Sequence, residues 1–376
     1  MKIGVITWWR NNYGSILQAY ALQQALKELG YSDCEVISQY DKNPATVKNL
    51  FKKLGSLGLT STIKIGFWKF GFSKMKNRTA AMMNFVNKHL QVSDVNYTEQ
   101  TIQNANNIYD TFICGSDQIW NPTLTKLNSI YWLTFVKGEK RKIAYAPSIG
   151  VKSLIPEQKG IIQHNLSTFN AVSCREISGT RLLNGVLGNH KCKKVVDPTL
   201  LVKKQVWDML SDTSKNEEKY IFVYFLRCGK EQRKIVEKFA QSKNLKIFSM
   251  PFLEPEFAEM YDLFFGDRKV WGASPADFIT YIRNAEYVFT DSFHASVFSI
   301  IYHRDFYVFP KKGKAQMERL LSLFHENGIE DRIVNSIEEI STKKTIDWDM
   351  VDQMVDSHRK DSQNYLRTAL EQDGEV

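Results

Sequence analysis

The first half of the chain alternates short apolar runs with stretches whose apolar residues recur at helical spacing, the signature of repeated strand–helix units. Lys2 to Thr7 reads as a buried strand. A polar turn follows, Arg10-Asn11-Asn12-Tyr13-Gly14. Then comes a helix with Ile16, Leu17, Ala21, Leu22, Ala25, Leu26 and Leu29 on its apolar face, stopped by Gly30. Cys34 to Ser38 predicts the next strand. After an interruption the strands resume at Tyr109 to Cys114, Lys142 to Ala146, Ala171 to Cys174 and Lys194 to Val196. Each runs into a polar turn: Gly115-Ser116-Asp117-Gln118, Pro147-Ser148-Ile149-Gly150, Arg175-Glu176 with a helix to about Leu187, and Asp197-Pro198.

The rhythm restarts in the second half. Strands are expected at Lys219 to Leu226, Lys246 to Ser249, Tyr287 to Thr290 and Asp305 to Phe309. Helices are expected at Lys230 to Ser242, from Ser274-Pro275 to about Asn284, at Ala295 to Tyr302 and from about Ala315 to Asn327, with a last helix from Trp348 to about Ala369. At 376 residues the chain exceeds one ordinary core. The pattern predicts an α/β protein of two Rossmann-like, doubly wound domains facing a cleft, divided between about Thr199 and Asn216. Residues 1–205 form the first domain, 206–347 the second and 348–376 the terminal helix. Open parallel sheets bind ligands beyond the carboxyl ends of their strands, so the polar turns should converge there.

Composition narrows the function classes. The five cysteines are scattered without a C-x-x-C and sit in apolar runs, as free thiols in a reducing cytoplasm do. The seven histidines lack zinc-ligand spacing, and no metal site is expected. No run of about 18 uncharged apolar residues predicts a membrane span, and the strand-like start does not suit a signal peptide. The net charge is +9. It is local: residues 42–93 carry ten Lys and Arg and no Asp or Glu, and the rest of the chain nets −1. Leu50, Phe51, Leu54, Phe67, Trp68, Phe70 and Phe72 are interleaved with these cations. That composition suits peripheral contact with an anionic inner-membrane surface, against the alternative of a solvated insertion packing on the first domain. Nucleic acid is the disfavoured partner, since no nucleic-acid motif is present.

Five segments carry candidate chemistry. In Thr290-Asp291-Ser292-Phe293-His294-Ala295, Asp291 or Ser292 would cap a helix whose free N–H groups face an anion, with His294 adding charge or moving a proton. The plain alternative is a capped helix with a hydrogen-bonded histidine. Arg175, at a strand's end, suits phosphate or carboxylate, or pairs with a neighbouring acid. Ser116, Asp117, Gln118 and Trp120 offer the polar groups and ring face of a sugar site, or a simple helix cap. Asn11, Tyr13 and Gly14 could cradle a ligand with backbone N–H groups, and Lys311 and Arg319 could reach the same anion. Asp197-Pro198 reads as shaping the linker. G-x-x-x-x-G-K-[ST] and G-x-G-x-x-G are both absent, which disfavours ATP and dinucleotides.

These segments in this order resemble the polysaccharide pyruvyl transferase family. The resemblance rests on Tyr13-Gly14-Ser15-Ile16-Leu17-Gln18, Gly115-Ser116-Asp117-Gln118-Ile119-Trp120-Asn121-Pro122, Ser173-Cys174-Arg175-Glu176, Asp197-Pro198-Thr199-Leu200-Leu201 and Thr290-Asp291-Ser292-Phe293-His294. It implies a GT-B-like architecture with the C-terminal helix returning to the first domain. It also implies transfer of pyruvate from phosphoenolpyruvate, with no other cofactor, to two hydroxyls of a glycan or its lipid-linked precursor. On that basis His294 and Asp117 are the catalytic candidates, and Ser292, His294, Arg175, Arg319 and Lys311 the donor-binding ones. Asn11, Tyr13, Gly14, Ser116, Gln118 and Trp120 would bind the acceptor. Some members carry an Arg where this chain has Ser292, which would leave the donor phosphate to Arg175, Arg319 or Lys311. A nucleotide-sugar glycosyltransferase of the same fold, and a non-catalytic glycan-assembly partner, are the competing expectations.

Overall fold

The structure is a computed structural model that describes residues 1–39, 61–189, 191–211, 218–252, 260–310 and 317–371. Two five-stranded sheets dominate it, each wholly parallel. The first contains β1 (Ile3–Ile6), β2 (Cys34–Ser38), β3 (Val92–Asn96), β4 (Thr111–Cys114) and β5 (Arg141–Ala144) in the order β3-β2-β1-β4-β5. A short pair, β6 (Ser173–Cys174) and β7 (Lys193–Lys194), follows beside β5. The second sheet contains β8 (Tyr220–Tyr224), β9 (Lys246–Ser249), β10 (Arg268–Lys269), β11 (Tyr287–Thr290) and β12 (Asp305–Val308) in the order β10-β9-β8-β11-β12. The two orders are the same, so each sheet reverses direction at its centre, between β1 and β4 in the first and between β8 and β11 in the second. Ligand crevices of doubly wound folds open at such points.

The helices that matter for the cleft are α1 (Tyr13–Glu28), α2 (Ser61–His89), α3 (Ile177–Leu187), α4 (Pro275–Arg283), α5 (Phe293–Ile301), α6 (Glu318–Glu326) and α7 (Trp348–Glu371). Helix α1 starts where Asn12 caps it, its side chain accepting from the N–H groups of Gly14 and Ser15. Gly30 adopts φ +93 just past its end. The predicted strands and helices recur with boundaries shifted by one to a few residues. The pattern missed β3, a half-exposed edge strand carrying Asp94. Charge on an edge discourages pairing with other chains and erases the apolar signal.

One apolar core joins the two lobes. It unites Ile16 and Leu22 of α1 with Phe278 and Ile282 of α4 and Phe298 of α5. Tyr13 inserts from the first lobe into the second: its ring stacks on Phe278 with centroids 5.0 Å apart, and its hydroxyl donates to the Ala273 carbonyl at 2.9 Å. Burying such a ring stabilises by roughly 2–3 kcal/mol. At the far end, α7 returns to the first sheet. The Ser362 hydroxyl accepts from the Val196 N–H at 2.9 Å, and the Tyr365 hydroxyl donates to the Ala144 carbonyl at 2.9 Å.

The basic, aromatic segment at 42–93 lies largely outside the described residues. Its described C-terminal part packs one side on the core and leaves the other, with Lys76 and Lys88, exposed. Met82, Phe85 and Val86 enter the core, and the buried Arg78 guanidinium sits over the rings of Tyr13 and Phe252, 5.0 and 4.6 Å from their centroids. No helix among the described residues is long and apolar enough to cross a membrane.

Candidate active site

The loops after β1, β4, β8 and β11 meet in a cleft of about 470 Å³ between the lobes. That volume suits a small-molecule site. Two helix N-termini point into it, α1 from the first lobe and α5 from the second, so free N–H groups and two positive dipole ends face the same space.

His294 occupies the second position of α5. Ser292 is the N-cap, its hydroxyl accepting from the Ala295 N–H at 3.4 Å. Asp291 does different work: both its carboxylate oxygens accept backbone N–H groups, from Leu226 at 2.7 Å and Arg227 at 2.8 Å. It ties the loop after β8 to the start of α5. The His294 ring reaches across to the first lobe. Its Nε2 stands 3.7 Å from Asp197 Oδ2 without a hydrogen bond of its own. Its Nδ1 lies so close to Gly14 that a Cβ there would come within 1.9 Å. Glycine at 14 is what admits the imidazole.

Asp197, expected to shape the linker, belongs to this cluster. Its Oδ2 accepts from Arg175 Nη1 at 2.5 Å and from the Ser116 hydroxyl at 3.2 Å, and its Oδ1 from the Thr199 N–H and hydroxyl at 3.0 and 2.6 Å. Burial alone would raise its carboxyl, but the Arg175 guanidinium and the neighbouring His294 and Thr199 hold it well below the usual carboxylate range. Asp197 is therefore a permanent anion behind the imidazole.

Arg319, from α6, is a cation of the cleft with no hydrogen-bonding or ion-pair partner among the described residues. It is 9% exposed and lines the cleft beside Ser292 and His294. It lies over one side of the Phe293 ring at 5.8 Å, with Arg175 at 4.6 Å. Burial, together with the nearby Arg175 charge, lowers its proton affinity to about 10. A buried cation left this way is poised for an anionic ligand.

Asp117 closes the first-lobe side. Its backbone, at φ 78 and ψ −179, lies in a region that side chains rarely adopt. Three hydrogen bonds hold it there. Oδ2 accepts from the Ser15 hydroxyl at 2.5 Å, Oδ1 from the Gln118 N–H at 2.8 Å, and its carbonyl from the Ser148 N–H at 2.8 Å. Such strain costs about 1–3 kcal/mol and is typical of functional sites.

Several expected site residues are placed otherwise. Trp120 cannot offer a ring face to a sugar. It is fully buried, stacked on Trp132 with centroids 4.4 Å apart, and its Nε1 donates to the Tyr131 carbonyl at 3.0 Å. Tyr13 is likewise consumed by the lobe junction and is not available to an acceptor. Ser116 is buried under Asp197 rather than open to the cleft. Arg175 is paired with Asp197 behind Phe293 and supports the site from outside the cleft wall. Asn11, Asp117, Gln118, Ser292, His294 and Arg319 do line the cleft. Gly14 adjoins it through His294. Lys311 lies outside the described residues.

The sequence reading also missed residues. Ser15 bonds Asp117. The Gln18 amide donates to the Thr7 hydroxyl and to the carbonyls of Trp8 and Ser15, holding the turn after β1. Glu176, buried, accepts from the Ser148 hydroxyl and the N–H groups of Ile149 and Gly150 through one oxygen. Each lies within a quoted motif, so position was legible while partnership was not. Among the described residues no group of three His, Cys, Asp or Glu side chains is set to hold a metal ion.

Comparison with known proteins bears on the family and the fold. The sequence profile of the family described as polysaccharide pyruvyl transferase matches residues 12–310. No curated protein sequence matches the chain. Among solved structures, it is similar to a UDP-N-acetylglucosamine 2-epimerase from Listeria monocytogenes, at 10% identity and a TM-score of 0.55, covering 98% of this chain and 91% of that one. It is also similar to MnaA of S. aureus, solved with UDP, at 12% identity and a TM-score of 0.53, covering 98% and 97%. The UDP-GlcNAc 2-epimerase from Neisseria meningitidis, solved with UDP-GlcNAc, shares 8% identity with a TM-score of 0.50, covering 98% and 97%. At these identities the likeness concerns the two-lobed fold alone.

Proposed function

The chain belongs to the polysaccharide pyruvyl transferase family and is a transferase, and from that premise we propose that it moves pyruvate from phosphoenolpyruvate onto two hydroxyls of one sugar, forming a cyclic ketal. The observation that carries the reading is Arg319, a buried guanidinium with no hydrogen bond or ion pair to any described residue, at the mouth of two helix N-termini, beside a histidine backed by a carboxylate. In this reading the donor phosphate lies against the N–H groups at the start of α5 and against Arg319, which takes the place of the arginine that some members carry at the Ser292 position.

The chemistry then follows from the groups present. His294, as imidazolium backed by Asp197, delivers its proton to the methylene carbon of phosphoenolpyruvate, leaving positive charge at the adjacent carbon. A sugar hydroxyl attacks that carbon. Phosphate leaves with the bridging oxygen, and a second hydroxyl of the same sugar closes the ring. Of the two hydroxyl protons released, one restores His294 and one departs with phosphate. Asp117, on the acceptor side, takes the second of these hydroxyl protons and passes it to the departing phosphate, with Ser15 holding its second oxygen.

The acceptor class is a glycan, as the family name states. A lipid-linked precursor at the inner membrane face is the finer form of this reading, supported by the ten cations within residues 42–93, of which Arg78 is already engaged in the lobe junction. Thermal denaturation with phosphoenolpyruvate, and separately with UDP, tests the donor. Stabilisation by phosphoenolpyruvate supports the proposal. Stabilisation by UDP alone overturns it in favour of a nucleotide-sugar transferase.

A further inference from the structure

With Trp120 buried, the aromatic surface on the first-lobe side of the cleft is supplied by a residue of no quoted motif, Trp8, facing Phe252 and Phe293 of the second lobe. It stands two residues beyond β1, is half-buried, and lines the cleft on the first-lobe side. It is fixed at both ends. The indole Nε1 donates to the Tyr131 hydroxyl at 2.9 Å, and the Trp8 carbonyl accepts from Gln18 Nε2 at 2.8 Å. A ring held in one orientation loses little entropy on binding a ligand.

Two amides line the same side. Asn121 Nδ2 donates to Gln118 Oε1 at 3.3 Å, while Gln118 Nε2 makes no hydrogen bond to any described residue. Both are kept in place by space left at Gly150. That residue has φ +57, and a Cβ on it would come within 2.8 Å of Asn121 Nδ2 and 2.9 Å of Gln118 Oε1. A rigid indole edge-to-face with a tyrosine, next to one free amide donor and a second amide, is the chemistry that binds a ring with an apolar C–H face and a polar rim.

We infer that Trp8, Gln118 and Asn121 form the acceptor subsite, taking one pyranose ring with its C–H face on the indole and its hydroxyls on the two amides. This deepens the proposed function and rests on it for the direction of transfer. It places the sugar on the wall opposite His294 and Arg319, so the hydroxyls on the far edge of the ring face the donor. It also makes Trp8 a determinant of which sugars are accepted, since an axial substituent on the stacked face would lift the ring from the indole.

The test is saturation-transfer NMR on the full-length protein with methyl β-galactoside, methyl β-glucoside and methyl α-mannoside, in the presence of inorganic phosphate. The wild type is expected to bind at least one of the three, with the strongest transfer to the protons of one ring face. Trp8→Ala should weaken that binding at least tenfold, Trp8→Phe less, and Gly150→Ala should weaken it by crowding the amides. Stabilisation by phosphoenolpyruvate should be the same in Trp8→Ala as in the wild type, which also shows that the variant folds. The inference is overturned if no glycoside binds the wild type, if Trp8→Ala binds as well as the wild type, or if UDP rather than the glycosides needs Trp8. If the wild type binds glycosides through Trp8 but is not stabilised by phosphoenolpyruvate, the subsite stands and the pyruvyl reading falls.

Discussion

Removing the Arg319 charge should make the ligand-free protein more stable while abolishing its response to ligand. Burial and the nearby Arg175 charge lower the guanidinium's proton affinity from its ordinary value to about 10 in the folded state. At about 1.4 kcal/mol per tenfold change, the charged form is disfavoured by about 3 kcal/mol relative to solvent. Because the penalty falls on the charged form, it is present in full at neutral pH and is relieved only as pH rises through about 10 and above. Arg319→Met keeps the stem against Phe293 and removes the charge, at the cost of some packing. The expected net gain is about 1–2 kcal/mol, or roughly 1–3 °C in melting temperature for a chain of this size. The wild type at a hundredfold excess of phosphoenolpyruvate over Kd should gain about 2.7 kcal/mol, and the variant almost none. Thermal scans of both proteins with and without phosphoenolpyruvate decide it. A variant less stable than the wild type by more than about 1 kcal/mol without ligand, or one that keeps the full ligand shift, would refute the reasoning.

Other substitutions separate support from chemistry. Asp197→Asn leaves Arg175 buried without its counter-charge and should cost about 3–5 kcal/mol in urea denaturation. Since the Asp197 carboxyl is depressed on folding, its contribution to stability is present above about pH 4 and lost as pH falls below that; the variant should lack this part of the acid transition. Gly14→Ala should displace the His294 ring and reduce turnover at least a hundredfold while the far-ultraviolet dichroism stays that of the wild type; retained turnover would contradict the close approach. Trp120→Ala should lower stability by about 3–5 kcal/mol yet leave the phosphoenolpyruvate Kd unchanged at temperatures where it is folded, as a core residue does. Co-sedimentation with anionic vesicles at low salt, absent with neutral vesicles and lost at high salt, is expected if the basic segment meets a membrane.

Much of the architecture was legible because strands buried on both faces read as unbroken apolar runs. Tyr220–Tyr224 and Tyr287–Thr290 are the plainest cases, and the turns after them carry Asp291, Ser292 and His294. Legibility failed where a residue's role depends on a partner far along the chain. Asp197 read as a linker residue because its partners are distant in sequence: Arg175 is brought to it by the pairing of β6 with β7, and His294 only by the junction of the lobes. Trp120 and Trp8 are indistinguishable as letters. One is stacked on Trp132 and the other lines the cleft, and only packing separates them. Tyr13 sits in a quoted motif for a structural reason, joining the lobes through Phe278.

The central claim is transfer of pyruvate to a sugar, and the most direct measurement follows both products at once. The wild-type protein is incubated with phosphoenolpyruvate and a panel of glycans and glycosides, phosphate release is timed, and the acceptor is examined by mass spectrometry. The account predicts acceptor-dependent phosphate release matched mole for mole by one carboxyethylidene ketal on the acceptor, both abolished in His294→Ala. Folded protein that neither binds phosphoenolpyruvate nor releases phosphate with any acceptor would contradict it.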